Sequence, residues 1–483
     1  MTYSPLHTKI LNYSTTTRTR LSKLRLLSKV LLAFLTLNVG LFAFGQEENA
    51  QLSFLFVGDV MQHDGQIQAA YNSKTKDYEY DDGFKFVKPI IDQYDIRIAN
   101  LEVTQAGKPF KGYPQFSAPD EISETLVNVG FNVILTSNNH SCDRGAKGVL
   151  RTLDVLDELG VPHTGTFRNQ AERDKNYPLI VEKNGIKVAM LNYTYGTNGL
   201  SVAKPLIINY IDSVIIKEDI AKAKAMNVDY IICNMHWGKE YKPLPNSYQK
   251  RYEAVCYRAG ADMVIGGHPH VVQPIERKEI NKEEKLTIWS LGNFVSNMQT
   301  RTTRGGVMLG AHIEKKKGKI VLGDVNHHFV YVMKRKEGAI TQYYILPDFN
   351  YNLHRVDFIS SVEATRMKDF FADSRKLYNA ENIGAVEEKI VDPSSSIGLT
   401  YKQLLTSYYS VRITSNGSEL MTNKTLGHYF HRTVDLTGLR NYLSGMYFDK
   451  LMAKGHLNFL ADCGIEGLSL VLVTPEGIKI VTE

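Results

Sequence analysis

DMVIGGHPHVVQPIE, residues 262–276, runs through apolar residues into two glycines and then presents His268 and His270 on either side of Pro269. Histidines near a strand end are commonly ordinary hydrogen-bonded residues, so the pair gains meaning only if other segments end in the same way. They do. LSFLFVGD, DIRIANLE, FNVILTSNNH, KVAMLNYT, VDYIICNMHWG, ADMVIGGHPH and KLTIWSLGNF are short apolar runs of strand character with abrupt polar endings. Between them SETLVNVG, GAKGVLRTLDVLDELG and SYQKRYEAVCYRAG have helical spacing and glycine stops. Continuous apolar strands alternating with helices predict an α/β architecture with buried sheets. In such folds the carboxyl ends of the strands converge on one rim, where sites gather.

With 483 residues the chain is too long for one ordinary core. The reading divides it into a leader (1–45), a main domain (50–346), a helical and linker segment (347–397) and a small α+β module (398–483). The main domain closes on hairpins in VMLGAHIEKKKGKIVLGDVNHHFVYVMKRK, and VDPSSSIG reads as the linker.

The leader carries Lys9, Arg18, Arg20, Lys23, Arg25 and Lys29, then an apolar run from Val30 to Gly45, with no acidic residue before Glu47. That is the pattern of a secretory signal cleaved near Gln46, the alternative being an uncleaved N-terminal membrane anchor. The expected location is therefore the periplasm or cell envelope, with membrane contact only if the leader stays attached. Without these six residues, 51 basic residues balance 51 acidic ones. The basic excess is thus a targeting feature, and nucleic acid is not an expected partner. Cys142, Cys233, Cys256 and Cys463 are few and far apart, so neither a structural zinc site nor a dense disulfide framework is indicated, although an exported chain could pair two of them.

Taken together, the strand endings offer Asp59, Glu102, Asn139, His140, His236, His268 and His270. Carboxylates, an amide oxygen and imidazoles suit borderline first-row divalent cations such as Mn, Fe or Zn. Each fragment alone is weak; five in order, each closing an apolar run, are specific.

In this order the fragments resemble the CapA family of poly-gamma-glutamate capsule biosynthesis, within the calcineurin-like metallophosphatase superfamily: Gly58-Asp59-Val60-Met61, Asn100-Leu101-Glu102, Ser137-Asn138-Asn139-His140, His236-Trp237-Gly238, Gly267-His268-Pro269-His270 and Ser290-Leu291-Gly292-Asn293-Phe294. The resemblance covers roughly residues 50–335. It implies a four-layer α/β/β/α sandwich with a metal site on the rim between two sheets. It also implies that Asp59 and His270 bind one cation, that Asn139, His236 and His268 bind a second, and that Glu102 bridges them. His140 is then the candidate general acid or donor to a substrate oxyanion. One or two divalent ions are expected, because Met61 stands where the wider superfamily has a histidine and a thioether is a poor ligand for such cations.

Other residues beside the motifs have candidate roles. Asp143 can orient His140 or cap a turn. His63 can supply the missing imidazole if its loop curls back, or simply face solvent. Arg144, Lys239, Arg301, Arg304 and Asn293 are candidates for holding an anionic substrate or ordering the rim. Trp237 reads as wall packing. The C-terminal module, through SVRIT, GLRNYLSGMY, FDKLMAKGHLNFLADCG and SLVLVTPEGIKI, resembles a SPOR-type ferredoxin-like unit, which implies contact with peptidoglycan.

The expected function is metal-dependent hydrolysis or transfer on an anionic polymer such as poly-gamma-glutamate, or on a phosphoester. The alternative is a non-catalytic envelope protein that binds, exports or anchors such a polymer.

Overall fold

The computed structural model describes residues 50–337, 340–348, 359–381 and 384–388, and within 408–481 five strands with scattered positions beside them. The leader and the VDPSSSIG linker lie outside the described residues. The strands of the main domain are β1 (Ala50–Val60), β2 (Ile96–Leu101), β3 (Val133–Leu135), β4 (His163–Thr164), β5 (Leu179–Lys183), β6 (Ile186–Thr194), β7 (Tyr230–His236), β8 (Met263–Gly267), β9 (Ile275–Ile280), β10 (Glu283–Ile288), β11 (Asn293–Val295), β12 (Gly305–Lys316), β13 (Lys319–Glu337), β14 (Ile340–Pro347) and β15 (Val386–Glu387). The helices that concern the site are α1 (Asp64–Ala70), α2 (Glu121–Val129), α3 (Gly145–Glu158), α4 (Ser213–Ala225), α5 (Ser247–Ala259) and α6 (Ser361–Glu381).

Two sheets result. The first has the order β14-β13-β12-β1-β2-β3-β4, with β11 beside β1 and β15 beside β13; the second runs β9-β10-β8-β7-β6-β5. Strands β1 to β4 are mutually parallel, as are β6, β7, β8 and β10.

The period-two alternation of a strand explains how both faces of each sheet are buried. Along β1, Leu52, Phe54 and Phe56 enter one cluster with Ile186, Val188 and Met190 of β6 and Ile232 of β7, so this cluster lies between the sheets. Leu55 and Val57 of β1 point the other way and meet Ile122 and Leu126 of α2. Ala189, Leu191 and Tyr193 of β6 likewise meet Ile216 and Ile220 of α4 and Cys256 of α5. Helix, sheet, sheet, helix is the order of layers, as the resemblance implies.

Helix α6 falls in the segment read as helical and linker. It packs Met367, Phe370, Phe371 and Tyr378 into the inter-sheet cluster beside Phe329 and Tyr331 of β13. The C-terminal strands β16 (Tyr408–Ser415), β17 (Phe430–Leu436), β18 (Leu439–Tyr447), β19 (Leu468–Thr474) and β20 (Gly477–Ile480) form an antiparallel sheet of order β17-β18-β16-β19-β20. Its first four strands lie 2-3-1-4, the order of a ferredoxin-like sheet, with helical positions between Lys450 and Ala461. Among the described residues no helix is long and apolar enough to cross a membrane.

Candidate metal centre

The parallel strands of both sheets bring their carboxyl ends to one rim. Asp59 sits at the end of β1, Glu102 just past β2, Asn139 and His140 past β3, His236 at the end of β7, and His268 and His270 past β8. All seven are buried, with Asp59 and Glu102 at 0 % exposure. Two glycines allow the close approach this needs. A Cβ on Gly58 would collide with the carbonyl oxygen of Gly292, and one on Gly266 with that of Trp289. His268 and His270 both adopt positive φ, 96° and 57°, which is costly for a residue with a side chain and is tolerated where the surroundings fix the geometry.

Asp59 Oδ1 accepts from Asn100 Nδ2 at 2.9 Å, and Oδ2 accepts from the backbone N–H of His268 at 3.2 Å. Oδ2 also lies 3.2 Å from His270 Nδ1. His270 Nδ1 is 3.0 Å from Asn293 Oδ1 as well, so the N–H is spent on Asp59 and Asn293, and Nε2 is left facing Glu102 at 3.8 Å. His236 Nε2 lies 2.7 Å from Asn139 Oδ1 and 3.4 Å from Glu102 Oε1. Groups that each sit about 2.1 Å from one cation are about 3.0–3.4 Å from one another, so these spacings suit a common ion. Glu102–His236–His268 and Asp59–Glu102–His270 each bring their ligand atoms within 4.8 Å, sharing Glu102 as the resemblance implied.

The electrostatics ask for positive charge. Both oxygens of Glu102 are enclosed without a hydrogen-bond partner. Burial, and then the charge of Asp59, push its carboxyl well above the usual range. For Asp59 burial acts upward, but the hydrogen bond with His270, the neighbouring His236 and His270 rings and the Asn100 amide outweigh it and hold the group below its ordinary value. Burial lowers His236 to about 3 and takes His268 well below its ordinary value, so both imidazoles are neutral and keep a lone pair for a metal. A divalent cation would remove the orphaned-carboxylate problem, and the donor set fits Mn, Fe or Zn.

His140 and Asp143 are brought together: Nδ1 is 2.7 Å from Asp143 Oδ2, which also accepts from the backbone N–H of Phe116 at 2.7 Å. The Phe116 ring lies edge-on to His140 at 4.7 Å.

His63 does not join the clustered ligands. It caps α1, with Nδ1 3.1 Å from Gln66 Oε1 and 3.4 Å from the backbone N of Asn297, and burial lowers it to about 4. Met61 is buried in the apolar cluster with Phe84, Leu101 and Val295. Arg304 is engaged with Gln299 O, Tyr331 Oη and Glu363, and Arg301 with Asp369 and Asp373 of α6. Arg144 is half-buried at the start of α3 with Nε enclosed and unpartnered, and Lys239 is exposed on the loop after β7. Trp237 stacks on Trp289 at 5.8 Å as wall packing. Cys142, Cys233 and Cys256 are free and buried.

Two contributors escaped the sequence reading. Asn100 holds Asp59 and also lies 3.4 Å from His236 Nδ1; its place inside the Asn-Leu-Glu fragment was the available signal. Glu240, exposed, has a carboxylate oxygen within 4.8 Å of ligand atoms of His268 and His270. Its only trace in the sequence is its position four residues after His236.

The fold is similar, at low identity, to solved structures of the calcineurin-like phosphoesterase YfkN from Bacillus subtilis (16 % identity, 69 % of this chain and 99 % of that chain, TM-score 0.36) and of the Haemophilus influenzae NAD nucleotidase NadN (12 %, 68 % and 61 %, TM-score 0.38). Among curated proteins, the chain is 29 % identical over 280 residues to the capsule biosynthesis protein CapA of Bacillus anthracis, covering 55 % of this chain and 65 % of that protein's length. It is 29 % identical over 275 residues to the PGA biosynthesis protein CapA of Bacillus subtilis strain 168, covering 55 % and 68 %. Residues 53–298, a span that contains every clustered ligand, match the family described as bacterial capsule synthesis protein PGA_cap, and the chain belongs to that family.

Proposed function

We propose that this member of the capsule synthesis family holds one or two divalent first-row cations among Asp59, Glu102, Asn139, His236, His268 and His270. It uses them for hydrolysis or group transfer on an anionic envelope polymer of the poly-gamma-glutamate kind, or on a phosphoester. The observation that carries the reading is Glu102: a fully buried carboxylate with both oxygens unpartnered, between neutral imidazoles and a second carboxylate. Such a group is costly to bury unless a cation completes it.

When bound, the cations would polarise a phosphorus or carbonyl centre and make water a better nucleophile. Asn293 and Asp59 hold the His270 ring by its Nδ1. Asp143 accepts a hydrogen bond from His140 Nδ1–H and leaves Nε2 to exchange a proton with the reacting group. The leader supports action outside the cytoplasm, at the cell envelope. The resemblance of the C-terminal module supports peptidoglycan contact through that module.

The test is metal analysis of the purified protein, then activity against a chromogenic phosphodiester and a γ-glutamyl polymer with and without Mn²⁺. Metal-dependent turnover that is lost in His236→Ala is expected. A protein that binds no metal, and whose polymer binding is unchanged in His236→Ala, would sink the reading. The second reading, a non-catalytic polymer-binding or export protein, is favoured by Met61, which turns into the apolar core and offers the centre nothing.

A further inference from the structure

The loop after β7 carries one group that the strand-end pattern leaves out. Gly238 has φ 95° and Tyr241 φ 64°, so the chain bends sharply on both sides of Lys239 and Glu240. The loop is pinned to the turn that bears the two histidines: the Tyr241 N–H donates to Pro269 O at 2.9 Å, and Gln273 Nε2 donates to Lys242 O at 2.8 Å. The Tyr241 ring lies 6.4 Å from that of His270. Glu240 is therefore fixed over the mouth of the centre, its carboxylate oxygen and ligand atoms of His268 and His270 all within 4.8 Å of one another.

An exposed carboxylate near histidines is not a site by itself. A second observation points the same way: His268, 3 % exposed, has Nδ1 with no hydrogen-bond partner. Resting on the metal-site reading above, we propose that Glu240 is a metal ligand on the solvent side of the centre, beside His268 and His270. A carboxylate in that position is the ligand most easily exchanged, because it alone among the donors is exposed.

The experiment is titration of the metal-stripped, full-length protein with Mn²⁺ alone, by calorimetry, for the wild type, Glu240→Gln and Glu240→Asp, with the absorption spectrum of the Co²⁺-loaded forms beside it. Glu240→Gln is expected to weaken the weaker binding step, or the single step if one ion binds, by about tenfold or more, the scale at which lost supporting groups weaken metal sites. Glu240→Asp recovers part of the loss, and the Co²⁺ spectrum changes in Glu240→Gln. Unchanged Mn²⁺ affinity in Glu240→Gln would overturn the assignment while leaving the metal-site reading standing. A drop in affinity accompanied by a lower melting temperature of the metal-free variant would mark a loosened loop and overturn it too. A wild type that binds no Mn²⁺ would overturn both this assignment and the reading on which it rests.

Discussion

At the scale of single residues, Glu102 pits stability against function. Its two unpartnered buried oxygens burden the metal-free protein and are what a cation needs. Glu102→Gln should therefore stabilise the metal-free protein, by about 1–3 kcal/mol, the usual cost of an unsatisfied buried polar group, while abolishing Mn²⁺ binding. Urea denaturation in chelator, paired with Mn²⁺ titration, checks both halves. Asp143→Asn separates chemistry from binding. The amide cannot hold His140 Nδ1–H as a carboxylate does, so metal content stays and kcat falls about 10²-fold or more. Measured turnover and metal content moving together would contradict that division. At this scale the sequence was legible where a residue closes an apolar run, as Asp59 and His268 do. It was opaque for Arg304, whose guanidinium turns to Tyr331 and Glu363, because side-chain direction in a loop depends on partners distant in sequence.

Among the elements, the strand ends work as a frame because their backbones pass closely. The Gly58–Gly292 approach lets β11 lie against β1, and the Asp59 N–H donates to Gly292 O at 3.0 Å. Gly58→Ala should force the two strands apart, costing about 1–3 kcal/mol of stability as overpacked sites do, and weaken Mn²⁺ binding because Asp59 moves with β1. Thermal melting and metal titration of the one variant test this; an unaffected metal affinity would mean that the strand ends are not rigidly coupled. The α/β alternation was readable because buried parallel strands are apolar on both faces. The loop after β7 was not, since Glu240 is brought over the histidines by the Tyr241 bond to Pro269, a contact between segments that no local pattern announces.

For the whole molecule, the layers explain why a rim site can be so deeply buried: two sheets packed face to face close over the ends of their own strands. Helix α6 adds to the core between the sheets. The residues Met367, Phe370, Phe371 and Tyr378 lie on its sheet-facing side, a spacing masked in the sequence by the charged residues between them, so that the segment read as helical and linker without its place in the core. Phe370, 2 % exposed, should cost about 3–5 kcal/mol when changed to alanine, measured by denaturant unfolding, whereas a mere connector would lose almost nothing. Cation binding should raise the stability of the whole unit, by about 2.7 kcal/mol when free Mn²⁺ is a hundredfold above its Kd.

The central claim, that the rim is a metal centre, is tested most directly by metal content. After loading with Mn²⁺ and exhaustive dialysis, elemental analysis of the full-length protein should find one or two ions per chain, and none in Glu102→Gln. Only trace metal in the wild type, or equal metal in the two proteins, would contradict it.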